Sequence, residues 1–427
     1  MKRAWKFAAA AAGAVVLALI AVAAVAPLLV GDARYRAWVG EAVESRIGRE
    51  LTISGDIEVR LLPRPRVVIA DLALARARGY GEGRFAEIER LSADLALLPL
   101  LAGRVVVARL HVDGLRVELE RDAAGRTNWA DLLAARPAPG AGDTLGLPAL
   151  GGLELDDATL VWRDRAAGEH LVLSVLHLHT GSLTAGGAVE VTANFRVADR
   201  VRGLRGVSRL AAELLPGADL AAIDVPRIEL DGALVGATPA GRAIELAVRG
   251  DLRLDRRAAL LTSSGIDVTA SGPLDATFHA GIEANLRGAR VLLTGVAAQA
   301  RLAPGGSTRI DLTVRTDRPL AIDVAAASLD GGTLRVDARA NGVAGLDVAF
   351  SASGALAGDL ARQRYAWTEV TGSGEATRAD GEARPIALAI GGDVVFDARD
   401  ATLAVDQLHL AVAAARVSGG IEAAWPG

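Results

Sequence analysis

The chain has 427 residues, 48 of them glycine and none cysteine, with a formal net charge of −4. Without cysteine there is no disulfide, thiol nucleophile or thiolate metal site, and the slight acidity argues against a nucleic-acid partner. Hydrophobic residues make up 51% of the chain but aromatics only 4%, so a core here is aliphatic, and glycine spread as punctuation fits many short strands.

The chain opens with Lys2, Arg3, Trp5 and Lys6, followed by an uncharged run from Phe7 to Val30. As a helix that run is ~36 Å long, enough to cross a ~30 Å hydrocarbon layer. Ala24-Val25-Ala26 resembles a signal cleavage site, but Pro27 would follow the cut, so an uncleaved anchor is the favoured reading. The basic residues ahead of the run place the N-terminus in the cytoplasm and export the rest. Residues 1–30 are therefore expected to form a cytoplasmic stub and a transmembrane anchor. In residues 32–47, Tyr35, Trp38, Val39, Ala42, Val43 and Ile47 fall at helical spacing before Gly48, which predicts an amphipathic helix packed on the first β-module.

Strands dominate afterwards. In "LTISGDIEVRL" Leu51, Ile53, Ile57 and Val59 alternate with polar residues, the pattern of a sheet with one buried face. Alternation resumes over 68–74, 91–97 and 106–112, and its phase slips at Asp113-Gly114, as at a turn or bulge. "LPLLAG" reads as a turn. "RDAAGRTNWADLL" reads as a turn and a short helix capped by Thr127 or Asn128, with Trp129 as a core anchor. Residues 31–134 thus form a first β-module with a leading helix, 135–150 a Pro/Ala/Gly linker, and 151–427 a repeat-containing β-region. Within the latter, "GVSRLAAELLPG" at 206–217 has apolar residues at helical spacing and reads as one helix. Residues 242–257 and 384–399 align without gaps, eight of sixteen positions being identical, and Gly250-Asp251, Gly392-Asp393 and Gly55-Asp56 occupy one frame. The glycine-aspartate pair inside a strand is best explained by a bulge or an outward polar position.

The fold expected is mainly β: a transmembrane helix, then a long, curved, mostly antiparallel sheet with a few short helices. Its apolar face is either sealed in an elongated sandwich or left partly open as a groove. With strands ~4.8 Å apart, twenty or so rungs would reach on the order of 100 Å. Residues proposed to line a lipid groove are Leu51, Ile53, Ile57 and Val59, then Leu246, Val248, Leu252 and Leu254, then Leu388, Ile390, Val394 and Phe396. The same side chains fit a closed core equally well. Among the histidines only His177 and His179 cluster, and no acidic pair at a recognisable spacing completes a metal site, so a solvated strand face is the reading. No nucleophile elbow, triad order, nucleotide loop or calcium loop is present, so no catalytic residue, metal or cofactor is assigned.

The ordered combination of an N-terminal hydrophobic run, "SRIGRELTISGDIEVRLLPRPRVVIADLALA" at 45–75, "LSADLALLPLLAGRVVVARLHVDGLRVELERD" at 91–122 and "GRTNWADL" at 125–132 resembles the AsmA family of bacterial envelope proteins. From 151 onward the likeness is looser. The resemblance implies a non-enzymatic, inner-membrane-anchored periplasmic protein, akin to bridge-like lipid-transfer proteins, with a role in phospholipid transport and outer-membrane homeostasis and membrane phospholipid as its partner. Other envelope proteins are the second partner class: an assembly factor acting on outer-membrane proteins through protein contacts, with no lipid cargo, is the alternative. For that family the chain is short, which implies further C-terminal sequence or a partner completing the path.

Overall fold

The structure, a computed structural model, describes residues 41, 44, 48–60, 64–77, 79–81, 83–101, 106–134, 151–165, 167–182, 186–217, 221–236, 242–272, 275–305, 308–343, 345–378, 384–413 and 415–424. Lys2, Arg3, Trp5, Lys6, the uncharged run Phe7–Val30 and the linker 135–150 lie outside them. Among the described residues no helix is long and apolar enough to cross a membrane. Of the leading helix, Glu41 and Glu44 are described. Both are helical and exposed, and the Gly48 N–H donates to the Glu44 carbonyl at 2.7 Å. Gly48 has φ +72°, the left-handed conformation with which glycine ends helices.

The chain is mainly β, with twenty-three strands and two short helices among the elements described. Two compact units are formed, residues 1–220 with 232–237, and residues 221–231 with 238–427.

In the first unit β1 (Leu51–Ile53) and β2 (Ile57–Arg60) both pair antiparallel with β3 (Arg66–Ala75). Ser54, Gly55 and Asp56 face only Ala70 and Asp71, because Ile53 sits opposite Leu72 and Ile57 opposite Ile69. The alternation read from the sequence therefore survives a bulge. A Cβ on Gly55 would lie 2.7 Å from the Ala70 backbone carbon, closer than any side chain allows. β4 (Arg84–Leu95) joins β3, and its other edge pairs with β5 (Val107–Asp113) over Arg90–Leu95 and with β6 (Arg116–Arg121) over Ala86–Glu87. Gly114, φ +65°, separates β5 from β6 where the phase slip was read. β7 (Leu153–Asp164) pairs parallel with both, which requires a crossover rather than a hairpin. β8 (Glu169–Thr180), β9 (Val189–Asp199) and β10 (Arg205–Pro216) continue antiparallel.

Two expectations are corrected. The segment 206–217 is strand β10, paired with β9 from Arg205↔Ala198 to Leu214↔Val189. Its residues Val207, Leu210, Ala211, Leu214 and Leu215 match a helical stripe, but pairing with β9 satisfies the backbone and leaves Val207 and Leu215 exposed on the second face. "LPLLAG", read as a turn, overlaps a five-residue helix, α1 (Leu97–Leu101).

The core of this unit is a cluster of Ile53, Val67, Ile69, Leu72, Leu91, Ala93, Leu95, Val107, Leu110 and Val112. Ile69 and Leu91 are 2% and 1% exposed. A second cluster joins Phe85, Trp129 and Leu132 of helix α2 (Ala130–Ala134), with Trp162 tilted against Trp129 at 5.4 Å. Here "GRTNWADL" acquires its meaning. Asn128 is fully buried; its Oδ1 accepts the Glu120 N–H and its Nδ2 donates to the Glu118 carbonyl, both at 2.9 Å. Its side chain is therefore committed to the edge of β6 and does not cap α2. Asp131 accepts two hydrogen bonds from the buried Arg49 at 2.5 and 2.7 Å, and Arg49 also donates to the Asn128 carbonyl and lies over the Phe85 ring. Asn128→Ala should cost about 2–4 kcal/mol in the denaturant unfolding of this unit, since it strands a buried N–H and a half-buried carbonyl.

The Arg49–Asp131 pair carries a pH signature. Burial alone would raise the Asp131 carboxyl, but the Arg49 hydrogen bonds, its charge and two backbone N–H groups hold it below its ordinary value. A folded value below the unfolded one means stabilisation that is complete above about pH 4 and lost as pH falls through the folded value. An acid unfolding curve of Asp131→Asn should accordingly be flatter than that of the parent below about pH 4.

In the second unit the strands from β12 onward form antiparallel ladders: β12 (Ile244–Asp255), β13 (Leu260–Ser271), β14 (Asp275–Asn285), β15 (Arg290–Gly305), β16 (Thr308–Thr316) with β17 (Leu320–Asp323), β18 (Ser328–Val343), β19 (Leu346–Asp359), β20 (Arg364–Arg378), β21 (Ile386–Asp397), β22 (Thr402–Val412) and β23 (Ala415–Ala424). β11 (Ala222–Val235) contributes residues to both units. The strands β13, β15, β18, β20 and β22 each carry one extra residue relative to a neighbour. Left-handed residues mark four of these bulges: Gly295, Gly332, Glu369 and Gln407. The bulges recur at one level of the ladder, so each bulged strand bends there.

Candidate functional site

The register joins the apolar residues of the second unit into one face. Val248 sits opposite Val268, Val268 opposite Phe278, Phe278 opposite Ala298 and Ala298 opposite Val314. The row continues through Val336, Ala352, Gly372, Ile390, Leu410 and Val417. Cross-strand partners share a face, so this is a continuous apolar surface running across the strands. All the aromatic residues described in this unit, Phe278, Phe350, Tyr365, Trp367 and Phe396, fall on it. The opposite face is polar and tied by exposed pairs such as Arg301–Asp311 at 2.9 Å and His279–Asp267 at 2.8 Å.

The apolar face is not sealed. Both clusters of buried apolar side chains lie in the first unit; among the described residues the second unit has none. Val268, Phe278, Val314, Phe350, Trp367 and Ile390 are half-buried. A hollow of about 240 Å³ opens on this face over β13–β16, walled by Val268, Phe278, Ala298, Leu312 and Val314. Buried residues of the face include Ala280, Val296, Val370 and Leu408 at the level of the bulges and Leu254, Ala352 and Ala376 away from it. The bulged strands bend along one line, and this apolar side of the bent sheet is the trough face.

The glycine-aspartate repeat builds the bulge line. A Cβ on Gly250 would lie 2.6 Å from the Gly265 carbonyl oxygen of the β13 bulge, and one on Gly392 would lie 2.8 Å from the Asp406 carbonyl oxygen. Only glycine lets the bulged strand approach so closely. The aspartate then caps amides of a neighbouring bulge: Asp251 accepts the Ser264 and Gly265 N–H groups at 3.1 and 3.3 Å, and Asp393 accepts the Glu369 N–H at 2.7 Å. Burial would raise the Asp251 carboxyl, but the Ser264 hydroxyl and these amides lower it below its ordinary value. These aspartates are structural, as the sequence reading favoured.

The residues named from the sequence fall into two environments. Ile53 belongs to the first unit's core, with Leu51, Ile57 and Val59 packed against it. Leu246, Val248, Leu252 and Leu254 lie on the trough face of β12, Leu254 itself buried. Leu388, Ile390, Val394 and Phe396 lie on the same face of β21, opposite Gly374, Gly372, Trp367 and Tyr365; Phe396 is 40% exposed. The walls of the hollow were not singled out, although the alternation Ala276-Thr277-Phe278-His279-Ala280 carries the same signal.

The first unit holds a polar cluster that spacing did not reveal. His177 Nδ1 lies 2.6 Å from Asp156 Oδ1, His179 Nδ1 3.7 Å from Glu154 Oε1, and His111 within 3.3 and 3.6 Å of Glu154 and Asp156. The parallel pairing of β5 with β7 brings His111 beside Glu154. Among the described residues no group of three or more such side chains is placed to hold a metal ion.

No curated protein matches the chain, and no solved structure does. The AsmA family model matches residues 1–219, about half of the 427 residues and the span that contains the Arg49–Asp131 and Asn128 contacts joining the two ends of the first β-module. The chain belongs to the AsmA family.

Proposed function

We propose that this chain is a non-enzymatic lipid-handling protein of the bacterial envelope. It is anchored in the inner membrane by residues 7–30, with its N-terminus cytoplasmic and its β-units in the periplasm, and it shields phospholipid acyl chains on the way to the outer membrane. The observation that carries this reading is the unsealed aliphatic face of the second unit, with its hollow over β13–β16. A contiguous exposed apolar surface on a folded body is costly unless a ligand covers it. Aliphatic walls suit acyl chains because they exclude water without fixing the chain's position. No energy source is needed for chains to partition along such a surface.

Quantitative lipid mass spectrometry on the purified full-length chain tests this. Phospholipid is expected in at least stoichiometric amount, and it should remain after detergent exchange. A lipid-free, monodisperse protein that retains a specific envelope-protein partner would instead establish the assembly-factor reading.

A further inference from the structure

We infer, independently of the lipid reading, that the outer edge of β23 is a self-association surface, on which β23 of a second copy of this chain pairs antiparallel about a two-fold axis at Gly419. Among the described residues β23 pairs only with β22, so one row of its backbone N–H and C=O groups meets no strand. It is ten residues long and exposed from Ala415 to Glu422. Sheet edges are ordinarily blunted by proline, a bulge, shortness or an inward charge, as β1 and β2 are by their three and four residues. β23 has none of these. The bulge beside it belongs to β22, and its apolar side carries Ala415, Val417, Gly419, Ile421 and Ala423. Val417 and Ile421 are 60% and 56% exposed, while Leu410 and Val405 opposite them on β22 are half-buried.

The sequence of the strand selects its occupant. Antiparallel partners share a face, and an axis at Gly419 sets each residue against the one equally far beyond 419 in the second copy. Val417 then meets the partner's Ile421 on the apolar side, and Arg416 meets the partner's Glu422 on the polar side. Symmetry repeats both pairs. Within its own sheet Arg416 lies opposite Ala411 and Glu422 opposite Ala404, so neither meets an opposite charge across β22. Moving the axis to Ser418 or Gly420 keeps the faces but sets Arg416 against a glycine or an alanine. A Cβ at Gly419 would touch nothing of its own chain within 4 Å, which leaves room at the axis. Main-chain bonds supply the affinity of such an added strand and the side-chain pairs fix its register.

The chain has no cysteine, so single cysteines report the pairing. Full-length protein in detergent micelles is oxidised as Gly419→Cys, Ala415→Cys, Ala423→Cys and Val324→Cys, and as a mixture of Ala415→Cys with Ala423→Cys. Val324 is an exposed site several strands away. Disulfide-linked dimer is expected from Gly419→Cys, whose two Cβ atoms would lie about 4.5–5.5 Å apart, and from the mixture. Ala415→Cys or Ala423→Cys alone, with like positions ~27 Å apart, should stay as monomeric as Val324→Cys. Without cysteines, Arg416→Glu and Glu422→Arg should each weaken the dimer by roughly tenfold in analytical ultracentrifugation, and the two changes combined in one chain should restore it. That restoration separates lost pairing from lost folding. A mixture that forms no 415–423 crosslink, crosslinking at 324 equal to that at 419, a dimer indifferent to both charge reversals, or capture of a different protein at 419 overturns the proposal.

Discussion

Phe278→Asp is expected to fold and to lose bound phospholipid, whereas Ile69→Asp is expected not to fold. Both replace an apolar side chain on the inward face of a strand by a carboxylate. Ile69 is 2% exposed within the first unit's core, and an unpaired carboxylate buried there costs several kcal/mol, comparable with the stability of a whole domain. Phe278 is half-buried at the wall of an open hollow. A carboxylate there keeps access to water, so its cost to folding is the lost contact of one ring edge, about 1–2 kcal/mol. Its cost to an acyl chain lying on it is the desolvation of a charge. Thermal unfolding read beside lipid content separates the two variants. A Phe278→Asp protein that unfolds like Ile69→Asp would show that the trough face is core.

Gly250→Val should unfold the second unit at lower denaturant by about 1–3 kcal/mol or more, far beyond an ordinary strand-surface substitution. The valine Cβ would lie 2.6 Å from the Gly265 carbonyl oxygen and 2.5 Å from the Ile266 Cδ1. The side chain of Ile266 has room to turn; the backbone of the bulge does not, unless the strands separate and the bend is lost. Val is a better strand former than Gly, so propensity alone predicts the opposite sign. Asp251→Ala, which strips the cap from Ser264 and Gly265, should act in the same direction and by less, because those amides stay near water. Denaturant titration followed by far-UV circular dichroism reads both.

The alternation of Leu51–Arg60 was legible because each residue keeps its side through the bulge at 54–56, and the Gly-Asp pair was legible because the bulge needs both residue types at fixed positions. The strand 205–216 was not, because its two faces are both partly apolar and five of its residues fall by coincidence at helical spacing. A strand that buries neither face deeply has no period to read. The Arg49–Asp131 pair spans 82 residues, and the His111–Glu154 contact depends on a parallel pairing across a crossover; neither leaves a local trace. Whether the apolar face would be sealed was illegible for a different reason: alternation states that a face is apolar, not what covers it. The same pattern became a closed core around Ile53 and an open face around Val268.

The central claim is that the trough face of the second unit holds acyl chains, and site-specific photocrosslinking in intact cells tests it most directly. A photoreactive amino acid is placed in turn at Phe278 and Val314 on the trough face, and at the exposed neighbours His279 and Arg315 on the opposite face. Lipid adducts are predicted at 278 and 314 and not at 279 or 315. Adducts equally frequent on both faces, or absent from both while the protein is folded and in its membrane, would contradict it.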